Sequence, residues 1–337
     1  MKLSHPIPLA LALLALAGCG KTGSVLTSGG PGPGGSDPAA YVTPQVVAAQ
    51  VTAEPSTFEY LTYDDGDAPK SDMSAGAVPS PLGVQGTGAV TDAEIQPAFW
   101  FRHIREHSRT FEVQFDHPDS DTTLARVRVT DRLLGSFNIV TLDTTGTGEI
   151  LRHLISKPLG DTGHRRAIFE RHRIHGDDDA ARTEDMEDGY RDGWSRWHLV
   201  ALSGAEITSD NGTRTIESVR LQSGDVDVTI TDPLELQRFP GGLVHLPPAV
   251  PVMITVKTGA PDDVAVLYAR WGRMRLHPQQ DGSYVGRFLT PALGGLRHIA
   301  VNALSHGTLY DDVAPYDSKA WGIPFVVGAP DMPLAAQ

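Results

Sequence analysis

The sequence predicts two folded regions in series: an α+β region, a helix on an antiparallel sheet, over residues 91–222, and an all-β sandwich over residues 223–328. Three observations predict this. Trp100, Ile104 and His107 recur at i, i+4 and i+7, the spacing of one helix face. From Phe111 the period drops to two, with Phe111, Val113 and Phe115 on one side of an extended segment. In the last third, short alternating segments follow one another, each bounded by Gly, Pro or Asp.

The elements follow in order. Pro97 fits the first turn of a helix over residues 96–107, because its missing N–H is unbonded there in any case. Residues 124–129 alternate, with Ala125, Val127 and Val129 against Arg126 and Arg128. Residues 131–136 lead into a strand at 137–140, and 166–171, 197–202 and 215–221 are three more strand candidates. One helix followed by an antiparallel meander places the helix over the apolar face of the sheet. In that order of elements the region resembles the NTF2-like and cystatin-like folds. In the sandwich region, strands are expected at 225–232, 251–258, 264–268, 281–288, 298–304 and 323–327. Asp281-Gly282 is a tight-turn signal that launches one of them. By its strand spacing and by Asp281-Gly282-Ser283-Tyr284, the stretch 250–327 resembles bacterial immunoglobulin-like and fibronectin-III-like domains. The resemblance implies a sandwich that serves as spacer, adhesion or glycan-contact module; fold alone does not choose among these.

The N-terminus is the most specific stretch. Lys2 precedes an apolar run over residues 7–17, the pattern of a secretory signal and too short for a spanning helix. Leu16-Ala17-Gly18-Cys19 follows. These four residues resemble the lipobox of bacterial lipoproteins, which implies a signal peptide at 1–18 and an acylated Cys19 at the mature N-terminus. Residues 20–38 are a Gly/Ser/Pro tract, and 19–90 as a whole reads as tether and lead-in, with one short helix expected at 41–50. Gly20 in place of an Asp after the Cys favours the outer membrane. Residues 329–337 form a tail.

Cys19 is the single Cys of the 337 residues, so an intrachain disulfide cannot form and Cys catalysis is excluded. The net charge of −13, from 41 acidic and 28 basic residues, repels phosphate backbones and argues against a nucleic-acid partner. The expected partners are the membrane, through lipid, and a protein or glycan ligand.

Three constellations could carry chemistry. His103-Ile104-Arg105-Glu106-His107 spells H-x-x-E-H. On a helix both imidazoles would reach one zinc, with Glu106 as general base for a metal-bound water. The spelling resembles the inverzincin peptidases, although no downstream Glu stands out as a third ligand. His172 and His175 adjoin an acidic run over residues 177–192, which lacks EF-hand spacing and reads as a solvated loop. Asp311, Asp312 and Asp317, with Tyr310 and Tyr316, share one loop where Ca²⁺ or a sugar could bind; loop carboxylates also cap turns through nearby amides. No G-x-S-x-G elbow, P-loop or G-x-G-x-x-G follows a strand. The expected function is therefore a lipid-anchored envelope protein with a non-catalytic binding or scaffold role. The alternatives are a zinc-dependent hydrolase built on His103, Glu106 and His107, and a purely structural spacer.

Overall fold

The computed structural model describes residues 95, 97–144, 150–173, 195, 197–269 and 272–328. Cys19, the expected signal peptide, the expected tether and short helix, His175, the acidic run at 177–192 and the expected tail at 329–337 lie outside the described residues.

The expected helix at 96–107 is a strand. β1 (Pro97–Asp116) pairs antiparallel with β2 (Thr122–Thr144), and β2 pairs with β3 (Ile150–His172) along its full length. The apolar spacing that suggested a helix has a different cause. Trp100, Arg102 and Ile104 alternate inward at period two, and a bulge between Ile104 and Glu106 then shifts the phase, so that His107 turns inward too. Gly135 makes room for the bulge: a Cβ there would lie 2.0 Å from the His103 carbonyl oxygen. With β1 extended, the helix-on-sheet layer and the NTF2-like or cystatin-like order lose their basis. The described body is mostly antiparallel sheet.

The next strands are β4 (His198–Ser209), β5 (Ile216–Ser223), β6 (Val226–Ile230), β7 (Gln237–Arg238), β8 (Val244–Leu246) and β9 (Pro251–Thr258). They are followed by β10 (Val264–Ala269), β11 (Gly272–Arg275), β12 (His277–Pro278), β13 (Ser283–Leu289) and β14 (Gly295–Leu304). A single turn of helix, α1 (His306–Tyr310), precedes β15 (Ser318–Val327). Two sheets result. The larger runs β1-β2-β3-β4-β15-β14-β10-β11, with β7 and β8 on its flanks; the smaller runs β12-β13-β9-β5-β6. Gly282, at φ +79°, turns the chain into β13 as its Asp-Gly signal requires, and the Asp281 carboxylate accepts the Ser283 N–H at 3.0 Å. The expected division at 222/223 falls at the end of β5. Strands from both sides of it share each sheet, since β4 pairs with β15 and β5 with β9.

The sheets stack as a sandwich. Val219, Leu221, Ile254 and Val256 of the smaller sheet meet Leu267, Ile299, Val301, Ile323 and Phe325 of the larger in one apolar core. The opposite face of the larger sheet has a second interior, because that sheet curls back on itself. Trp100, Phe137, Ile139 and Leu159 from β1–β3 pack against Val264, Val266 and Leu304 from β10 and β14. The two edge strands face each other across side chains: the Arg273 guanidinium of β11 donates to the Trp100 carbonyl of β1 and lies 4.9 Å over its ring. This curl encloses the charged groups.

Candidate functional site

The H-x-x-E-H residues are placed first. A strand advances roughly 3.3 Å per residue, so positions four apart are roughly 13 Å apart along it. The bulge then separates the two faces: His103 pairs with Ser136 and His107 with Leu133, neighbours on opposite sides of the sheet. His107 Nε2 is 2.9 Å from Asp131 Oδ1, while His103 and Glu106 are exposed on the outer face. The zinc reading needed a helix to converge the imidazoles, and the strand removes that convergence. Among the described residues no group of three or more His, Cys, Asp or Glu side chains is placed to hold a metal ion. His172, at the end of β3, lies 2.6 Å from Glu170.

The Asp311–Asp317 loop is organised around a cation of the protein's own. The Lys157 ammonium donates to the carbonyls of Gly307 (2.8 Å), Thr308 (2.8 Å) and Asp311 (2.6 Å) at the end of α1, where the Gly307 carbonyl also accepts the Asp311 N–H (3.3 Å). Burial pushes the Lys157 pKa down, with Asp311 and Asp312 opposing. The three carboxylates do not converge. Asp311 accepts the N–H groups of Val313 (2.8 Å) and Ala314 (3.0 Å), which hold its pKa below the usual range, and Asp312 is exposed. Asp317 is buried and turned the other way, accepting from Ser209 Oγ (3.2 Å) and from the N–H (3.1 Å) and hydroxyl of Thr213. Of the carboxylates expected to take calcium, Asp311 thus binds two amides and Asp317 an amide, two hydroxyls and the Arg214 guanidinium (3.4 Å), while the ammonium is held by backbone carbonyls.

The densest set of ionisable groups among the described residues lies elsewhere, on the inner face of the curled sheet; of its members the sequence places Arg102 in a helix, Asp131 in a strand lead-in and Tyr316 in the carboxylate loop, and assigns Asp161 and Arg165 to no element. Arg102 of β1 is fully buried, its guanidinium 5.7 Å from the rings of Phe137, Tyr268 and Tyr316. It donates to the hydroxyls of Tyr316 (3.2 Å) and Tyr268 (2.8 Å). The Tyr316 hydroxyl lies 3.0 Å from Asp161 Oδ2 and 2.7 Å from Ser318 Oγ. Burial drives the Asp161 pKa up to about 6, against the pull of the Arg102 charge. Further along the same face, Asp131 joins β1, β2 and β3: it accepts from Arg109 (2.6 Å), from Arg165 (2.5 Å) and from His107. Burial works to raise the Asp131 pKa, but the His107 bond and the two guanidinium charges outweigh it and hold the carboxyl far below its usual range. The two aspartates face one interior and are perturbed in opposite directions, because Asp131 has two guanidinium partners in contact and Asp161 has a phenol.

Such an arrangement can hold charge and cross-link strands. Its alternating position was visible in the sequence, since Arg102 sits two residues from Trp100 and from Ile104, but a lone Arg in that phase reads as solvent-facing. Compared with family models, with curated proteins and with solved structures, the chain matches none.

Proposed function

We propose that this chain is a bacterial envelope lipoprotein, anchored through an acylated Cys19 and directed to the outer membrane, whose body is a non-catalytic scaffold for a protein or glycan partner. Leu16-Ala17-Gly18-Cys19 supports the anchor, and the tract at 20–38 supports a leash that lets the body reach its partner. One observation carries the non-catalytic part: the carboxylates, the phenol and the central guanidinium of the strongest ionisable cluster are buried, while the His107 and Arg109 side chains reach its rim at 33% and 17% exposure. Arg102 is 0% exposed, and Asp131, Asp161 and Tyr316 are each 1% exposed. A general acid or nucleophile must touch a substrate, whereas these groups touch one another. Their arrangement supports a strut that fixes the curl of the large sheet. The two stacked antiparallel sheets also support an immunoglobulin-like assignment for the sandwich, with its implied contact or spacer role.

The anchor is tested by intact-mass and N-terminal peptide analysis of the protein extracted from fractionated bacterial membranes. The expected result is a chain beginning at Cys19 that carries a diacylglyceryl group and fractionates with the outer membrane. A chain that retains residues 1–18, or an unmodified Cys19, contradicts the reading.

A further inference from the structure

We propose that two copies of this chain join edge to edge through residues 110–116 of β1, paired antiparallel about Val113, so that their two large sheets become one. The inference goes beyond the anchored-scaffold reading and does not depend on it. The edges of the two sheets differ in length. β11, β12 and β6 have 4, 2 and 5 residues, and a short edge is one way in which a sheet avoids pairing with another chain. β1 has 20 residues, and among the described residues no strand is hydrogen-bonded to its other side. β11 reaches β1 at Trp100, roughly 40 Å along the strand from Val113. The bulges of β1 lie between Pro97 and Phe99 and between Ile104 and Glu106, and from Glu106 to Asp116 its register with β2 is unbroken. That stretch holds neither Pro nor Gly. The devices that blunt an edge stop short of this half of the strand.

The side-chain pattern selects a second copy as the occupant. On the inner face Phe111, Val113 and Phe115 are half-buried, packed against Ala125, Val127 and Val129. On the outer face Thr110, Glu112 and Gln114 are exposed. An antiparallel pair centred on Val113 sets Val113 against its own copy and Phe111 against the partner's Phe115, so the apolar row continues across the junction. On the outer face it sets Glu112 against the partner's Gln114 and Thr110 against the partner's Asp116. No like charges are then directly opposed. Glu112 keeps its own Arg128, and Asp116 its own Arg126. Neighbouring registers lack this fit. Centred on Glu112, the pair opposes Glu112 to its own copy; centred on Gln114, it opposes Glu112 to the partner's Asp116. Like charges directly opposite destabilise a strand pair, so charge selects the Val113 register.

The test uses the unacylated chain from Gly20 to Gln337, which keeps every described residue and contains no Cys. Sedimentation velocity over a concentration series should show a monomer–dimer equilibrium. Gln114→Glu opposes carboxylates at two places in the dimer and should raise its Kd about tenfold. Gln114→Lys should lower the Kd by a similar factor, and high salt should shrink both shifts. Within one chain residue 114 lies opposite Arg126, so the same two substitutions should move the melting temperature of the monomer in the reverse order. That reversal separates docking from folding. Val113→Cys should give a covalent dimer on oxidation, because a residue on the two-fold axis faces its own copy within disulfide reach. Thr110→Cys, roughly 20 Å from its copy in this register, should not. A monomer at every concentration would leave the edge to a strand of another protein and overturn the proposal. So would a dimer indifferent to the charge at position 114, or one that Thr110→Cys cross-links as readily as Val113→Cys.

Discussion

β14 separates two interiors, one almost wholly apolar and one in which apolar packing is mixed with buried charges. Ile299, Val301 and Ala303 point into the first, the sandwich core, while His298, Ala300, Asn302 and Leu304 alternate onto the inner face of the curl. The two cores share strands and a similar degree of burial. Their stability has different sources. The sandwich core gains from apolar area removed from water, a term indifferent to pH and salt. The inner face adds to its own apolar packing, Trp100, Phe137, Ile139 and Leu159 among it, a set of buried charges that contribute only where each meets a partner, because an unpaired charge in a dry interior costs several kcal/mol. The comparison teaches that burial alone does not say how an interior responds to solution conditions.

The largest effect should come from emptying the dry side. Phe325 is 0% exposed and packs near Phe288, with ring centroids 6.2 Å apart. Phe325→Ala should cost about 3–5 kcal/mol in urea denaturation, equally at pH 5 and pH 8. On the charged side, Asp131→Asn leaves Arg109 and Arg165 without their carboxylate. It should cost about 3 kcal/mol, the low end for a broken buried pair. A cost below 1 kcal/mol would erase the proposed contrast, since the two interiors would then tolerate change alike. A smaller effect should follow at the loop joined to the inner face. Lys157→Met strips the donor from the carbonyls of Gly307, Thr308 and Asp311 and should cost about 1–3 kcal/mol. Added Ca²⁺ should not restore the melting temperature, because Asp311, Asp312 and Asp317 point apart.

The sequence made the dry interior far more legible than the charged one. Val252, Ile254 and Val256 alternate with Met253 and Thr255, and that period maps onto β9 and its buried face. The strands of the curl were only partly visible. In the sequence β2 reads as separate short pieces and β3 only over 166–171, because Asp131 and Arg165 face inward and interrupt the apolar period. β1 was misread as a helix for a related reason. Trp100 faces inward while Phe99 and Phe101 stack on the outer face, with ring centroids 6.3 Å apart, so three aromatics run in sequence, and the bulge before Glu106 brings His107 inward one residue out of phase. A period is readable only where one face is apolar and the ladder is regular. The inner face meets neither condition, so its aspartates and arginines carried no signal in the sequence.

Asp161 gives the most direct test of the claim that the inner face is a buried, structural polar core. Its pKa in the folded chain is raised from 3.8 to about 6, so the unfolded chain ionises it first. Burial of Asp161 therefore costs nothing below about pH 4, and the cost grows with pH to about 3 kcal/mol above pH 6. Asp131 has the opposite sign. Its lowered pKa gives stability that is full above 3.8 and is lost only as the pH falls below that value, outside the window. The measurement is urea denaturation of the wild type and Asp161→Asn at intervals from pH 4 to pH 7. The wild type should lose about 3 kcal/mol relative to the variant across that range. Parallel curves would mean that Asp161 is solvated and free to titrate, and would contradict the buried interior.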